Sequence, residues 1–318
     1  MTDNSNSAAT TSNVRKVPGP KLWLLSLRPF SFTASVMPIA LAAVAAVFLQ
    51  PELPGDLLWV TFPLYAVAGV LFHAGTNVLN DYYDFFHGVD GSDDRDPTHL
   101  LPQGLVTPRF MLVSGHIYFA LGIALGSMIG LWRGPAYVVT GIVAAILAYF
   151  YTGLRFSFKY VALGDIIVFL LMGPAMVAMG VWALAGSIPV EAVLFSLPIA
   201  FSVTAILHGN NLRDIDSDRK EGVRTIAEQL GPRYARHVLT LLLALPFLTV
   251  AVLVSADVLP LASLLTFIAG VPTAGLLRTV YRHSRSSELV TLPMECAKLH
   301  TLFSGLLILS LISVRLMF

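Results

Sequence analysis

Long apolar runs alternate with polar links along this chain, and the alternation predicts its elements. Nine apolar segments occur, at about 31–49, 57–79, 110–131, 136–151, 165–184, 190–207, 238–254, 259–280 and 298–316. Each is close to the ~20 residues that carry an α-helix across a hydrocarbon core. Short links rich in Pro and Gly, at 50–55 and 133–135, separate some of them. Longer polar links follow the second, sixth and eighth segments. The pattern predicts an all-α polytopic membrane protein with nine transmembrane helices. Residues 1–20 are rich in Ser, Thr and Asn without an apolar core, and read as a disordered polar tail. Residues 21–318 then form one nine-helix domain.

The basic residues fix the expected orientation. With the N-terminus on the cytoplasmic side, 18 of the 20 Lys and Arg fall in inner segments, leaving Arg133 and Arg315 outside. Such a bias is what the positive-inside rule demands, and an eight-helix count scrambles it. The expected location is the cell inner membrane, multi-pass, with the long polar links on the cytoplasmic face.

Composition sharpens the class. Of 318 residues, 56% are hydrophobic and 12% charged, with a mean hydropathy of +0.74. A soluble domain carries roughly 25% charged residues, so soluble enzymes built on paired Asp motifs are excluded. The expected partner is the lipid bilayer and not nucleic acid. The single cysteine, Cys296, excludes an internal disulfide and reads as packing in the last helix.

Two polar stretches carry candidate chemistry. On a helix, Asn77, Asn80, Asp81 and Asp84 fall at i, i+3, i+4 and i+7, a single stripe that begins inside an apolar run. Asn211, Asp214 and Asp218 repeat the arrangement, with Asp216 turned to the far side. One helix cap needs one such residue, and four polar groups in lipid are costly without a buried role. Facing carboxylate stripes at a membrane surface hold hard divalent cations, and those cations hold a diphosphate. Arg213, Arg219, Lys220 and Arg224 interleave with the second set and supply cations for diphosphate oxygens. Lys159 is a further phosphate contact or an ordinary inner-face anchor.

Other polar groups read more plainly. The run Asp93, Asp94, Arg95, Asp96 is a solvated loop. Asp165 is a carboxylate at a helix start, favoured there by the dipole. His87 and His208 have no His or Cys partner at zinc-like spacing. Tyr82, Tyr83, Tyr149, Tyr151 and Tyr160 form an interfacial belt, or face a carbocation.

At these residues the chain resembles the UbiA superfamily of intramembrane prenyltransferases. Asn80-Asp81-Tyr-Tyr-Asp84 matches its first motif and Asp214-Ile-Asp-Ser-Asp218 its second. Gly88 stands where a further Asp often follows, and Asp90 lies two residues later. Three stretches, 80–90, 151–165 and 210–225, are similar to the menaquinone-pathway branch. The resemblance implies a central cavity under a cytoplasmic cap of loop helices. It also implies Mg²⁺ held by Asp81, Asp84, Asp214 and Asp218, with these four as the catalytic residues. Asn77, Asn80, Lys159, Asn210, Asn211, Arg213, Arg219 and Lys220 are then the candidate substrate contacts. The implied reaction moves a polyprenyl group from polyprenyl diphosphate to 1,4-dihydroxy-2-naphthoate, releasing diphosphate and CO₂ and giving a demethylmenaquinone. A related prenyltransferase acting on 4-hydroxybenzoate is the near alternative. A cation-coupled transporter is the alternative from another class, and its carboxylates belong at the bilayer midplane.

Overall fold

The computed structural model describes residues 19–20, 23–24, 27–50, 52–53, 55–88, 100–153 and 157–317. Asp90, the acidic run at 93–96, Arg155 and most of the polar tail lie outside the described residues. The described chain forms ten helices: α1 (Pro29–Leu49), α2 (Gly55–His87), α3 (Pro108–Arg133), α4 (Pro135–Thr152), α5 (Gly164–Ala185), α6 (Val190–Arg213), α7 (Ile215–Glu221), α8 (Ile226–Ser255), α9 (Leu261–Arg282) and α10 (Leu292–Met317). Among the described residues, all but α7 are long and apolar enough to cross a membrane, which makes nine spans.

The breaks between helices follow from local chemistry. The Thr107 hydroxyl accepts from the Phe110 N–H at 3.2 Å and opens α3 at Pro108, whose missing N–H costs nothing there. Gly134, at φ 80°, separates α3 from α4. Thr225 caps α8 through the Glu228 N–H at 3.1 Å. Four spans run well beyond their apolar segments. α2 continues to His87, α6 continues to Arg213, α8 starts at Ile226, and α10 starts at Leu292. Polar side chains end an apolar count without ending a helix, because the backbone ladder is indifferent to them once they find partners. Arg236 donates to the His283 carbonyl at 3.0 Å, and Lys298 pairs with Glu295 at 2.6 Å. Within α8, Gly231 is non-helical and marks a kink just before Pro232.

α6 is the most buried span and forms the axis of the bundle, with α1, α5, α8 and α10 packed around it. Outward faces are apolar, as at Val139, Val143, Leu248, Val252 and Val271, and fit a lipid surroundings. Two buried polar pairs bond across helices: Ser263 to Ser310 at 3.1 Å, and His300 to Ser202 at 2.8 Å. Arg133 donates to the carbonyls of Ala183 and Leu184. Cys296 is buried against α6, as expected for a packing residue.

α5 widens to a π-helical turn at Leu171–Ala175, around Pro174. Pro removes one ladder bond, and the wide turn absorbs the loss. Gly173 in that turn lies directly on α6: a Cβ there would sit 2.3 Å from the Cβ of Ala200. Close backbone approach through small residues is how membrane helices pack without a hydrophobic drive. Gly173→Ala is therefore expected to destabilise the protein by about 1–3 kcal/mol, read as a lower thermal midpoint in detergent. Gly141→Ala, whose Cβ meets nothing nearer than 3.8 Å, serves as the control. Equal midpoints for the two variants would contradict the close α5–α6 contact.

Candidate active site

The polar stripe expected near the end of α2 forms, and its four residues divide between two sets of partners. Asn77 donates to the Leu27 carbonyl and to Ser31 Oγ, both at 3.0 Å. Asp81, one turn on, accepts from Arg28 Nη2 at 2.6 Å. Asn80 and Asp84 face the link between α4 and α5. Asp84 Oδ2 accepts from Lys159 Nζ at 2.5 Å and from Asn80 Nδ2 at 2.7 Å, while Oδ1 accepts from the Tyr160 hydroxyl at 2.5 Å. Asn80 Oδ1 accepts from Lys159 Nζ at 3.1 Å and from Thr152 at 3.2 Å. Asn80, Asp81 and Asp84 are buried. Charge in so dry a place persists only when paired.

The second motif is not one continuous helix. α6 ends at Arg213, and Asp214 leaves helical geometry before α7 begins. The physical reason is local: the Arg213 guanidinium clamps the Asp214 carboxylate at 2.6 Å through two nitrogens and reaches Asn210 Oδ1 at 2.9 Å. The i, i+4 relation survives as a backbone bond from the Asp218 N–H to the Asp214 carbonyl at 2.9 Å. Asp214 and Asp218 are half-buried and Asp216 is exposed, so the far-side placement of Asp216 holds. Burial and the nearby Asp214 carboxylate push the Asp218 carboxyl up to about 7. Two carboxylates crowded together resist sharing two negative charges.

Gly222, at φ 72°, turns the chain after α7 so that the Arg224 carbonyl accepts from the Ala162 N–H at 2.7 Å. That bond ties the α4–α5 link to the α7–α8 link. It brings Lys159 near enough for its charge to act on Asp218 as well as on Asp84.

A cavity of about 180 Å³ lies between these elements, lined by Arg28, His73, Asn77, Asn80, Tyr151, Lys159, Asn210 and Asn211 among others. Asp81 and Asp84 stand behind Arg28, Asn80 and Lys159. A second cavity of about 130 Å³ is almost wholly apolar, lined by Phe72, Met172, Met176 and Met179 among others. The two share His73, Thr76, Ala148, Leu171 and Met172 as a common wall. Arg219 pairs with Glu228 at 3.3 Å and Lys220 is exposed; neither lines the cavity, contrary to the sequence expectation for substrate contacts. Their place on the exposed flank of the short α7 turns them away.

Asp165 proves to be more than a helix-start carboxylate. It is buried, with Oδ2 at 2.6 Å from His208 Nδ1 and Oδ1 accepting from Asn211 Nδ2 at 3.1 Å. His208 Nε2 faces the Ala235 carbonyl at 2.9 Å and therefore carries hydrogen, because a carbonyl only accepts. A proton must then also lie between Nδ1 and Asp165. The pair pins α5 to α6 and α8 and fixes the Asn211 amide with its oxygen turned from Asp165. No sequence spacing reveals it, since the partners lie 43 residues apart. Arg28 was legible only as one of many inner-face cations.

All four candidate metal ligands are carboxylates, hard oxygen donors of the kind Mg²⁺ takes. No group of three His, Cys, Asp or Glu is gathered at metal-binding distance among the described residues. The donor set fits Mg²⁺ in kind, with Asp81, Asp84 and Asp214 engaged by Arg28, Lys159 and Arg213.

A nine-span bundle with a one-ended acidic and basic site opening into an apolar chamber defines an intramembrane prenyltransferase, and comparison agrees. The chain belongs to the UbiA prenyltransferase family, which matches residues 35–300. It is 35% identical over 285 residues to UbiA prenyltransferase domain-containing protein 1 of Gallus gallus, covering 88% of this chain and 81% of that one. The fold resembles the apo structure of a UbiA homolog from Aeropyrum pernix K1, with a TM-score of 0.67, 17% identity and 91% and 98% of the two chains covered. It also resembles a UbiA homolog from Archaeoglobus fulgidus bound to DMAPP and Mg²⁺, with a TM-score of 0.57, 16% identity and 90% and 98% covered. Membership disposes of the transporter alternative. This relative is named for its UbiA domain and not for a naphthoate acceptor, so it carries the family and not the menaquinone branch.

Asp165→Ala leaves the buried His208 without its carboxylate and is expected to cost about 3 kcal/mol. The measurement is the thermal midpoint in detergent; a midpoint equal to that of the parent chain would refute the pinning role.

Proposed function

We propose that this chain transfers a polyprenyl group from polyprenyl diphosphate to 1,4-dihydroxy-2-naphthoate, releasing diphosphate and CO₂. The observation that supports this reading most is a polar cavity, walled by Arg28, Lys159 and the Asn residues of both motifs, that shares a wall with an apolar chamber. A molecule with a charged head and a hydrocarbon tail has that shape. In this reading Asp81, Asp84, Asp214 and Asp218 hold Mg²⁺, which when bound neutralises the charge developing on the diphosphate as the C–O bond breaks. The A. fulgidus homolog bound to DMAPP and Mg²⁺ supports the same pairing of metal and prenyl diphosphate.

The protein's own groups then have distinct tasks. Arg28 and Lys159, on the cavity wall, donate to diphosphate oxygens, and Asn77 and Asn80 hold the head group in register. Asn210 and Asn211 face the same cavity and bond the hydroxyl or carboxylate groups of the acceptor. Arg213 positions Asp214 through its clamp. Phe72, Met172 and Met176 take the first isoprene units and exclude water from the allylic cation. The basic bias of the links supports a cytoplasmic position for this end, in the cell inner membrane. The acceptor assignment rests on the likeness of 151–165 and 210–225 to the menaquinone branch.

Asp84→Ala and Asp214→Ala are each expected to lower transfer by about 100-fold or more, whereas Asp216→Ala, at an exposed position, retains substantial activity. Equal losses at all three would remove the geometric basis of the assignment. The acceptor is tested by incubating membranes with Mg²⁺, labelled polyprenyl diphosphate and a panel of aromatic acids, followed by mass spectrometry. Carboxyl-labelled 1,4-dihydroxy-2-naphthoate should release CO₂ in step with product, and EDTA should abolish the reaction. Inert naphthoate beside prenylated 4-hydroxybenzoate would transfer the assignment to the other acceptor, and full activity after chelation would end the Mg²⁺ reading.

A further inference from the structure

His73 sits one turn below Asn77 on the stripe of α2, is buried, and borders both the polar cavity and the apolar chamber. It is therefore at the junction where the head group ends and the hydrocarbon begins. Its two ring nitrogens face two serine hydroxyls: Nδ1 lies 3.0 Å from Ser35 Oγ, and Nε2 3.3 Å from Ser31 Oγ. Each hydroxyl also has a backbone carbonyl within reach, Ser31 that of Arg28 at 2.8 Å and Ser35 that of Phe32 at 3.1 Å. The Phe32 ring stands edge-on at 5.2 Å and holds the imidazole plane.

This arrangement has an unusual property. A neutral imidazole needs one donor and one acceptor, and a serine hydroxyl can be either. With His73 neutral, one serine turns its hydrogen to the ring. With His73 protonated, both serines turn their hydrogens to the carbonyls and accept from the ring. The proton can arrive without moving a heavy atom or leaving a buried group unsatisfied. The charged groups bordering the same cavity are Arg28 and Lys159, bonded to Asp81 and Asp84. α4 contributes Ala148 and Tyr151. α6 contributes Asn210, Asn211 and apolar residues, and α5 and α10 contribute apolar residues, none of them charged. In the chamber the other titratable groups are Tyr65 and Tyr137.

We propose that His73 is a base that takes the hydroxyl proton of the aromatic acceptor through Ser31, an inference that rests on the prenyl-transfer reading above. The acceptor O–H gives its proton to Ser31 Oγ, which lines the cavity and passes its own hydroxyl proton to His73 Nε2, and the ring carbon forms its bond to C1 of the prenyl group. The C1–O bond breaks with its electron pair on the diphosphate. Aromaticity returns by loss of the substituent on the alkylated carbon. A departing ring proton gives one net proton. Departing CO₂ leaves its electron pair on the ring, and the imidazolium returns its proton to the oxygen.

The test uses the full-length chain in lipid nanodiscs with Mg²⁺, a prenyl diphosphate and hydroxylated aromatic acids whose hydroxyl acidity is graded by ring fluorination. His73→Gln should lower kcat by about 100-fold for the parent acid. The loss should shrink as the hydroxyl becomes more acidic and needs the base less. An unchanged kcat, or the same loss across the series, overturns the proposal. Ser35→Ala keeps the imidazole and decides the matter if the glutamine variant does not fold. Removing a hydroxyl that accepts from the imidazolium disfavours the protonated ring, so the acidic limb of the kcat profile should move to lower pH. An unmoved limb overturns the proposal. Failure of the parent chain to prenylate any hydroxylated acid, by contrast, sinks the function reading itself.

Discussion

The structure depends on keeping carboxylates ionised inside a bundle built for lipid. Asp84 meets that demand with a Lys159 ammonium, a Tyr160 hydroxyl and the Asn80 amide all within hydrogen-bonding distance. Asp81 meets it with Arg28. Neither cation comes from α2: one lies in the approach to α1 and the other in the link between α4 and α5. Burying these two charges therefore obliges three separate parts of the chain to meet. Removing either partner would leave a charge stranded in low dielectric, at a cost of about 3–5 kcal/mol, so the link cannot drift without loss of stability.

The same link makes the second connection. Its backbone bond from Ala162 to Arg224 holds the turn after α7, and the Gly222 turn lets that strand of chain come back over the cavity mouth. Asp214 is held by Arg213, and Asp218 feels the charge of Lys159. The site has two acidic halves with cations beside them, suited to a ligand that is itself polyanionic and to oxygen-seeking cations that accompany it. Below it, the shared wall of His73, Thr76, Leu171 and Met172 sets an apolar chamber directly beside the polar cavity.

A buried polar network of another kind supports this floor. Asp165, His208 and Asn211 lock α5 to α6, and through Ala235 to α8. Stiffness there complements the wide turn at Leu171–Ala175, where α5 bends around Pro174 and lies flush on Ala200. α5 thus serves both the polar cavity, through Ile167 and Val168, and the apolar chamber, through Ala175 and Met179.

Hydrophobic periodicity by itself determined the nine spans, because crossing a bilayer imposes a length and a composition that no fold can evade. It also determined the stripe from Asn77 to Asp84, since helical phase follows from residue number alone, and the far side of Asp216. It misjudged the starts of α8 and α10, where Arg236 and Glu295 are polar yet helical because each finds a partner nearby. Only the tertiary structure decided which partners those are. Arg28 on Asp81, Lys159 on Asp84 and His208 on Asp165 join residues 53, 75 and 43 positions apart, and no local pattern encodes such separations. The break at Asp214, the absence of Arg219 and Lys220 from the cavity wall, and the seat of His73 between two serines belong to the same class. Each is set by side chains that converge from different helices, and convergence is a property of packing.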